Sequence, residues 1–154
     1  MKLLFIDDEQ TFLKYLAKRL SLEGFEVKTT FSGEEGVAAA AKEPFDVAVV
    51  DLQMPGIDGI EVQKLLKDLQ PDLPCIVLTG HGSVENALES GKYNAFKFLS
   101  KPVDMDTLIQ TIQAAYDHRV EKQSKQDPTD PPPAVKGPVS KLFQKFRHLY
   151  SVEK

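Results

Sequence analysis

Short apolar runs alternate with amphipathic segments along most of the chain. Five runs have the composition of β-strands, at residues 3–7, 26–30, 46–51, 75–80 and 96–100. The first, third and fourth are almost purely apolar, which is typical of central strands covered on both faces. The pattern therefore predicts five strands, three of them buried in the middle of a sheet.

Segments with apolar residues at helical spacing separate these runs. Ser32 and Glu35 form a capping box at the start of the second segment, and Gly24 is expected to end the first. Strand–helix alternation repeated five times predicts a doubly wound α/β fold with a parallel sheet. The predicted helices include residues 12–20, 32–43, 60–69, 83–92 and 104–116.

The composition changes at about residue 121. Residues 121–138 are rich in proline and poor in apolar side chains, so we expect an extended linker. Residues 139–150 have an apolar stripe beside a basic polar side, which predicts a short amphipathic helix. This helix could dock on a protein, the preferred alternative, or on a membrane surface. No DNA-binding domain is expected, because the linker leaves too few residues for one.

Charge and composition exclude several classes of protein. Residues 1–120 carry 12 Lys and Arg against 19 Asp and Glu, a formal charge of -7, whereas residues 121–154 carry +3. An acidic main domain argues against direct nucleic-acid binding. The sequence contains no apolar run of about 20 residues and no signal-peptide pattern, so a cytoplasmic location is predicted.

The single cysteine, Cys75, lies in an apolar run and is expected to be a buried thiol.

Side chains that can bind a metal or a phosphoryl group occur where the predicted strands end. Asp7 and Asp8 end the first strand, Asp51 the third and Thr79 the fourth, and Lys101 follows the fifth. These ends meet at one edge of a parallel sheet, where ligands bind in such folds. Clustered carboxylates need a cation such as Mg²⁺, the lysine suits a phosphoryl oxygen, and an aspartate can form an acyl phosphate. Taken singly, Asp51 or Asp8 could be a helix or turn cap; their joint occurrence favours a phosphoryl site.

The segments "FIDDE", "VVDLQMPGIDG", "VLTGHG" and "FLSKP" occur in this order. With these segments in this order, residues 1–120 resemble the receiver domain of bacterial two-component response regulators, the CheY-like fold. The resemblance implies a flavodoxin-like (βα)5 domain with a five-stranded parallel sheet in the order 2-1-3-4-5. It also implies that Asp51 accepts a phosphoryl group from a sensor histidine kinase or a phosphotransfer protein.

The same resemblance assigns roles to the other strand-end residues. Asp7, Asp8, Asp51 and the backbone carbonyl of Gln53 would bind Mg²⁺. Thr79 and Lys101 would contact the phosphoryl group, Thr79 and Phe98 would act as a switch, and the Lys101–Pro102 peptide bond would be cis. The chain departs from the family at Asn94, where a glycine is usual; asparagine tolerates a left-handed backbone better than most residues.

The expected output is a change of surface rather than catalytic turnover. Phosphorylation would bias the face formed by the fourth predicted helix, the fifth strand and the fifth helix, which would then bind a downstream protein or a second copy. The alternative is a Mg²⁺-dependent phosphatase with an aspartyl nucleophile, but Gln53 and Glu9 stand where such enzymes usually carry an acidic aspartate. A flavodoxin-like electron carrier is disfavoured, because no Ser/Thr-rich phosphate loop follows the first strand.

Overall fold

The computed structural model describes residues 1–57, 59–80 and 95–125. It contains strands β1 (Lys2–Ile6), β2 (Glu26–Thr30), β3 (Val47–Asp51), β4 (Cys75–Thr79) and β5 (Lys97–Ser100). The helices of these ranges are α1 (Gln10–Leu22), α2 (Gly33–Lys42), α3 (Gly59–Leu69) and α4 (Met105–Ser124). Helix α4 is the fifth helix predicted from the sequence, and the fourth predicted helix lies outside the described residues.

The strands form one parallel sheet in the order β2-β1-β3-β4-β5, so the predicted order is confirmed. β1 lies between β2 and β3, with Ile6 opposite both Thr30 and Val50. The order of the strands reverses at β1. In an open α/β sheet, such a reversal leaves a crevice beyond the carboxyl ends of the strands.

The central strands are apolar on both faces because helices cover both sides of the sheet. Leu4 and Ile6 pack with residues of α2 and α3 on one side, and Leu3 and Phe5 pack with residues of α1 and α4 on the other. Full burial of such a side chain contributes roughly 1.5–3 kcal/mol. Asp7, directly after β1, and Asp51, the last residue of β3, are therefore carried by well-packed strands.

Side-chain caps fix the starts of two helices. Ser32 Oγ accepts a hydrogen bond from the Glu35 N–H at 3.1 Å, which confirms half of the predicted capping box. The Glu35 carboxylate accepts from the Phe31 N–H instead of the Ser32 N–H. Asp104 caps α4 by accepting from the Thr107 N–H at 3.1 Å, near the predicted start of this helix.

The start of the chain differs from the prediction by one or two residues. β1 ends at Ile6, so Asp7 follows the strand rather than closing it. Glu9 occupies the N-cap position of α1 and makes no side-chain cap. The alternative that Asp8 caps this helix is therefore wrong, because α1 begins one residue too late for it.

Helix α4 is longer than the sequence pattern suggests. It ends at Ser124, so residues 121–124, assigned above to the linker, are helical; the Glu, Lys and Gln side chains among them are good helix formers. No helix of the described ranges is both long and apolar enough to span a bilayer. Residues 126–138 and the predicted helix at 139–150 lie outside the described residues.

Cys75 is buried at the start of β4, as predicted. Removal from water raises the pKa of its thiol to about 12, because the charged thiolate is poorly solvated there. The side chain thus acts as a small apolar residue of the core rather than as a reactive thiol.

Gly59 permits a close approach between α3 and the end of β3. A Cβ atom at this position would lie 2.6 Å from the Asp51 carbonyl oxygen and 2.7 Å from the Leu52 Cα. Both are backbone atoms, so only a shift of the strand end or of the helix could relieve the clash. The start of α3 is therefore coupled to the segment that carries Asp51.

We expect Gly59→Ala to lower the free energy of unfolding by about 1–3 kcal/mol, the usual cost of overpacking. Helix propensity alone would favour alanine by about 1 kcal/mol. The sign of the change in the free energy of unfolding therefore separates overpacking from helix propensity. Urea unfolding is the measurement. Lys64→Ala, at an exposed position of the same helix, should change stability by less than about 0.5 kcal/mol. An unchanged or higher stability of Gly59→Ala would contradict the close approach.

Candidate functional site

The register between β1 and β3 places two aspartates side by side. Ile6 lies opposite Val50, so Asp7 and Asp51 occupy equivalent places at neighbouring strand ends. Their side chains are only 3% and 5% exposed. Asp8 is exposed, and oxygens of the three carboxylates all lie within 4.8 Å of one another. The sheet thus brings the three predicted carboxylates together in a cluster that could hold a metal ion.

Each of the two buried aspartates is oriented by the turn that follows it. Asp7 Oδ1 accepts a hydrogen bond from the Glu9 N–H at 2.9 Å, and Asp51 Oδ1 accepts from the Gln53 N–H at 3.0 Å. Aspartate commonly stabilises turns by bonding to the backbone two residues ahead. With Oδ1 engaged in this way, rotation of each carboxylate is restricted and Oδ2 is the oxygen that contacts other elements.

Lys101 joins both carboxylates from the end of β5. Its Nζ donates to Asp7 Oδ2 at 2.7 Å and lies 3.3 Å from Asp51 Oδ2 and 3.4 Å from Glu9 Oε1. The Lys101–Pro102 peptide bond is cis, as the resemblance implies. The lysine predicted at the strand ends therefore lies at the cluster, and it is the direct link between β5 and the two aspartates.

Burial and like charge make the Asp7 carboxylate difficult to ionise. Removal from water raises the pKa of Asp7 above its ordinary value; the hydrogen bonds from Lys101 and from the Glu9 N–H lower it without cancelling that effect, and the charge of Asp51 raises it further. Burial alone would lower the pKa of Lys101, but the hydrogen bond to Asp7 and the charges of the three nearby carboxylates raise it overall. The ammonium therefore stays charged, and carboxylates outnumber it. A further cation would relieve this imbalance.

An open cavity of about 370 Å³ gives access to Asp51. A Cβ atom on Gly80 would meet the Gln53 Oε1 at 3.3 Å, so the absence of a side chain at residue 80 widens this opening. Two larger cavities of about 480 Å³ lie elsewhere and do not border the carboxylate cluster. The residues that border the smaller cavity are Glu9, Phe12, Asp51, Gln53, Gly80, Lys101 and Pro102.

Two residues of this site were not predicted from the sequence. Glu9 approaches the Lys101 ammonium, and the ring centroid of Phe12 lies 4.8 Å from the same Nζ. Phe12 was interpreted only as one of the apolar residues of the first helix. The available signal was position: Phe12 lies in the first turn of α1, four residues after Asp8, and a residue there can reach the same sheet edge.

The other predicted site residues have only partly described surroundings. Thr79 ends β4 opposite Ser100, and its side chain is outside what the structure describes. Phe98 is half-buried on β5 and lies opposite Val77. The metal-binding role of the Gln53 carbonyl, the phosphoryl contact of Thr79 and the switch pair of Thr79 with Phe98 stay predictions. Asn94 lies outside the described residues.

Known proteins are similar to this chain in sequence and in fold. The transcriptional regulatory protein GlrR of Escherichia coli is 41% identical over 113 residues, which are 73% of this chain and 26% of GlrR. The photosynthetic apparatus regulatory protein RegA of Cereibacter sphaeroides is 33% identical over 150 residues, 97% of this chain and 75% of RegA. The chain thus corresponds to about a quarter of the length of the first relative and three quarters of the second.

A solved structure and a family model agree with these relatives. The response regulator receiver domain protein from Clostridium thermocellum superposes with a TM-score of 0.75 at 34% identity, over 79% of this chain and 98% of that one. The model of the response regulator receiver domain matches residues 3–113. This match includes Asp7, Asp51 and Lys101. The chain therefore belongs to the response regulator receiver domain family.

Proposed function

We propose that this chain serves in phosphorelay signal transduction by accepting a phosphoryl group on Asp51. One observation carries the proposal: a buried carboxylate at the sheet edge has a lysine ammonium 3.3 Å from one oxygen and borders an open cavity. The family supports it, since receiver domains are generally phosphoacceptors. The donor we propose is the phosphohistidine of a sensor histidine kinase or phosphotransfer protein, encountered in the cytoplasm.

In the proposed step, an oxygen of Asp51 attacks the phosphorus atom of the phosphohistidine. A P–O bond forms, the P–N bond breaks, and its electron pair returns to the imidazole nitrogen, which takes up a proton. Negative charge grows on the phosphoryl oxygens as the bonds exchange, and the Lys101 ammonium is close enough to stabilise it. The Thr79 hydroxyl would donate a further hydrogen bond to the product.

The donor set fits Mg²⁺ as the cation of this site. Asp7, Asp8 and Asp51 supply hard oxygen ligands within a small volume, the Gln53 carbonyl would add another, and Mg²⁺ keeps waters in its remaining positions. When bound, the ion would offset the repulsion between carboxylates and phosphoryl oxygens. The raised pKa of Asp7 supports this assignment, because it indicates a carboxylate whose charge is poorly compensated by the protein alone.

Phosphorylation would act on a protein-binding surface. Lys101 connects the site to β5 and, through a short segment, to α4, so a change in its contacts bears directly on these two elements. Phe98 on β5 would change its position together with Thr79. The partner would be a downstream protein or a second copy of the chain. The relatives named as transcriptional regulatory proteins weakly oppose our expectation of no direct nucleic-acid binding, which stays a prediction.

Asp51 should be the one phosphorylated residue when the full chain is treated with acetyl phosphate and Mg²⁺. We expect intact-mass analysis of the wild type to show the addition of a single phosphoryl group, and Asp51→Asn to show none. Asp117→Asn, an exposed carboxylate on α4, should be labelled like the wild type. Labelling of Asp51→Asn at the wild-type level would contradict the assignment.

The same samples test the phosphatase alternative, which no observation favours. Gln53 carries an amide and cannot serve as the acid that such enzymes use. The wild type should hydrolyse a phosphate monoester such as p-nitrophenyl phosphate no faster than Asp51→Asn. Rapid turnover that depends on Asp51 would revive the alternative.

Mg²⁺ should stabilise the fold through Asp7 and Asp51. A saturating concentration, 100 times the Kd, would add about 2.7 kcal/mol to the free energy of unfolding; Asp7→Asn and Asp51→Asn should lose most of this gain, and Asp117→Asn should keep it. Urea unfolding with Mg²⁺ or with EDTA measures the difference. Equal Mg²⁺ effects in all four proteins would place the metal elsewhere.

The pH dependence of this Mg²⁺ effect follows from Asp7. Because the pKa of Asp7 is raised in the folded protein, a proton competes with the metal at higher pH than at an ordinary aspartate, and Mg²⁺ affinity should fall as pH falls through that range.

Without metal, the raised pKa of Asp7 means that its ionised form opposes folding, so Asp7→Asn should be more stable than the wild type at neutral pH. Both differences are read from unfolding curves, and a less stable metal-free Asp7→Asn would contradict the argument.

A further inference from the structure

The Lys101 ammonium has an aromatic neighbour in addition to its carboxylate partners. Its Nζ lies over the ring of Phe12, 4.8 Å from the centroid. A cation within about 6 Å of the centroid of an aromatic ring is attracted by the negative face of the π-system. The distance therefore places this pair within the range of a cation–π interaction.

The surroundings of Phe12 hold its ring at this place. Phe12 lies in the first turn of α1 and packs against the apolar cluster that α1 and α4 form with the sheet. It is half-buried and also borders the cavity that leads to Asp51. One part of the side chain is thus fixed by the core while another contacts the site.

We propose that Phe12 is a positioning residue for Lys101 during phosphoryl acceptance, an inference that rests on the proposed function. The ring attracts the ammonium without bringing a formal charge. Glu9 Oε1, 3.4 Å from the same Nζ, also attracts it, but its negative charge would repel an incoming phosphoryl group. Phe12 is therefore the neighbour that can hold Lys101 near Asp51 without opposing the reaction.

The geometry of the interaction suits the movement that Lys101 must make. Its Nζ now contacts oxygens of Asp7 and Asp51, and it has to turn part of its donor capacity to the phosphoryl oxygens. A hydrogen bond to one fixed oxygen weakens steeply with angle, whereas the attraction of an aromatic face extends over a wider area. Phe12 can hold the ammonium before and after this change.

The simpler reading is that Phe12 is only an apolar residue of the core. Leucine would replace it in that role, since it keeps most of the apolar burial but has no π-system. Tyrosine keeps the aromatic face and adds a hydroxyl at its edge. The pair Phe12→Leu and Phe12→Tyr therefore separates packing from the cation–π interaction.

The decisive measurement is the rate of phosphoryl incorporation from acetyl phosphate into the full chain at saturating Mg²⁺, expressed per folded molecule. We expect Phe12→Leu to react about fivefold more slowly, equivalent to ~1 kcal/mol at 1.36 kcal/mol per tenfold. Phe12→Tyr should stay within about twofold of the wild type. A wild-type rate for Phe12→Leu, or an equally slow Phe12→Tyr, would overturn the inference.

Phe45→Leu is the matched control. Lys2 Nζ lies 5.4 Å from the centroid of the Phe45 ring, at the opposite edge of the sheet, so this variant also removes a lysine–ring contact and some core volume. Its rate per folded molecule should equal that of the wild type. A similar slowing in both leucine variants would attribute the effect to lost stability and overturn the inference.

A spectroscopic measurement separates this inference from the proposed function. In the metal-free protein, the ring current of Phe12 should shift the Cε proton resonances of Lys101 upfield, and the shift should disappear in Phe12→Leu but not in Phe45→Leu. An unchanged Lys101 signal in Phe12→Leu would overturn the inference. Failure of the wild type to accept a phosphoryl group would instead overturn the proposed function.

Discussion

The repulsion between two buried carboxylates at neighbouring strand ends is the constraint on which the site depends. Asp7 and Asp51 are both nearly inaccessible to water, and placing two negative charges there costs free energy unless cations compensate them. The apolar strands β1 and β3 supply the opposing stabilisation, since their burial fixes the register that keeps the pair together. Lys101 offsets part of the repulsion. A bound cation would relieve the remainder.

The contacts between elements differ in their balance of charge at the two ends of the strands. At the edge where the strands begin, Gln70 connects several segments by donating to the carbonyl oxygens of Ala40 and Glu43 and accepting from the Phe45 N–H. Arg119 of α4 donates to the Phe45 carbonyl oxygen. Ion pairs also lie at this edge, between Lys2 and Glu43 and between Arg119 and Asp46, and each matches one positive group with one carboxylate. At the other edge three carboxylates contact the single ammonium of Lys101. The excess of negative charge there makes these contacts respond to any charge that arrives.

The sequence was sufficient for the parts of the fold that follow from periodicity. The buried strands and the Ser32 cap could be predicted from the spacing of apolar residues and from a local capping pattern. The sheet order was expected only from the resemblance to receiver domains, and Asp104 was expected near the start of a helix but not as its cap. The length of α4 could not. Its last residues are polar on all sides, and a sequence of this kind has the same composition whether it forms a solvated helix or a linker.

The site was predictable to the extent that it consists of strand ends. A parallel sheet brings such ends to one edge, so the meeting of Asp7, Asp51 and Lys101 follows from topology. Glu9 and Phe12 were missed for a physical reason. Their approach to Lys101 depends on the angle at which α1 leaves β1 and on side-chain rotamers, and neither is encoded in the periodicity of a single element.

The position of α4 determines how a change of charge at Asp51 would affect parts of the structure that do not contact it. The helix begins directly after its cap, Asp104, three residues beyond Lys101, and near its other end Arg119 donates to the carbonyl oxygen of Phe45, two residues before β3. A shift of Lys101 therefore acts on the first turn of a helix whose last turns are held. Coupling between sites needs an element with two arrangements that both sites can bias. With one end anchored and the other adjoining the charged cluster, the first half of α4 and strand β5 form the segment of the described structure best placed to be that element.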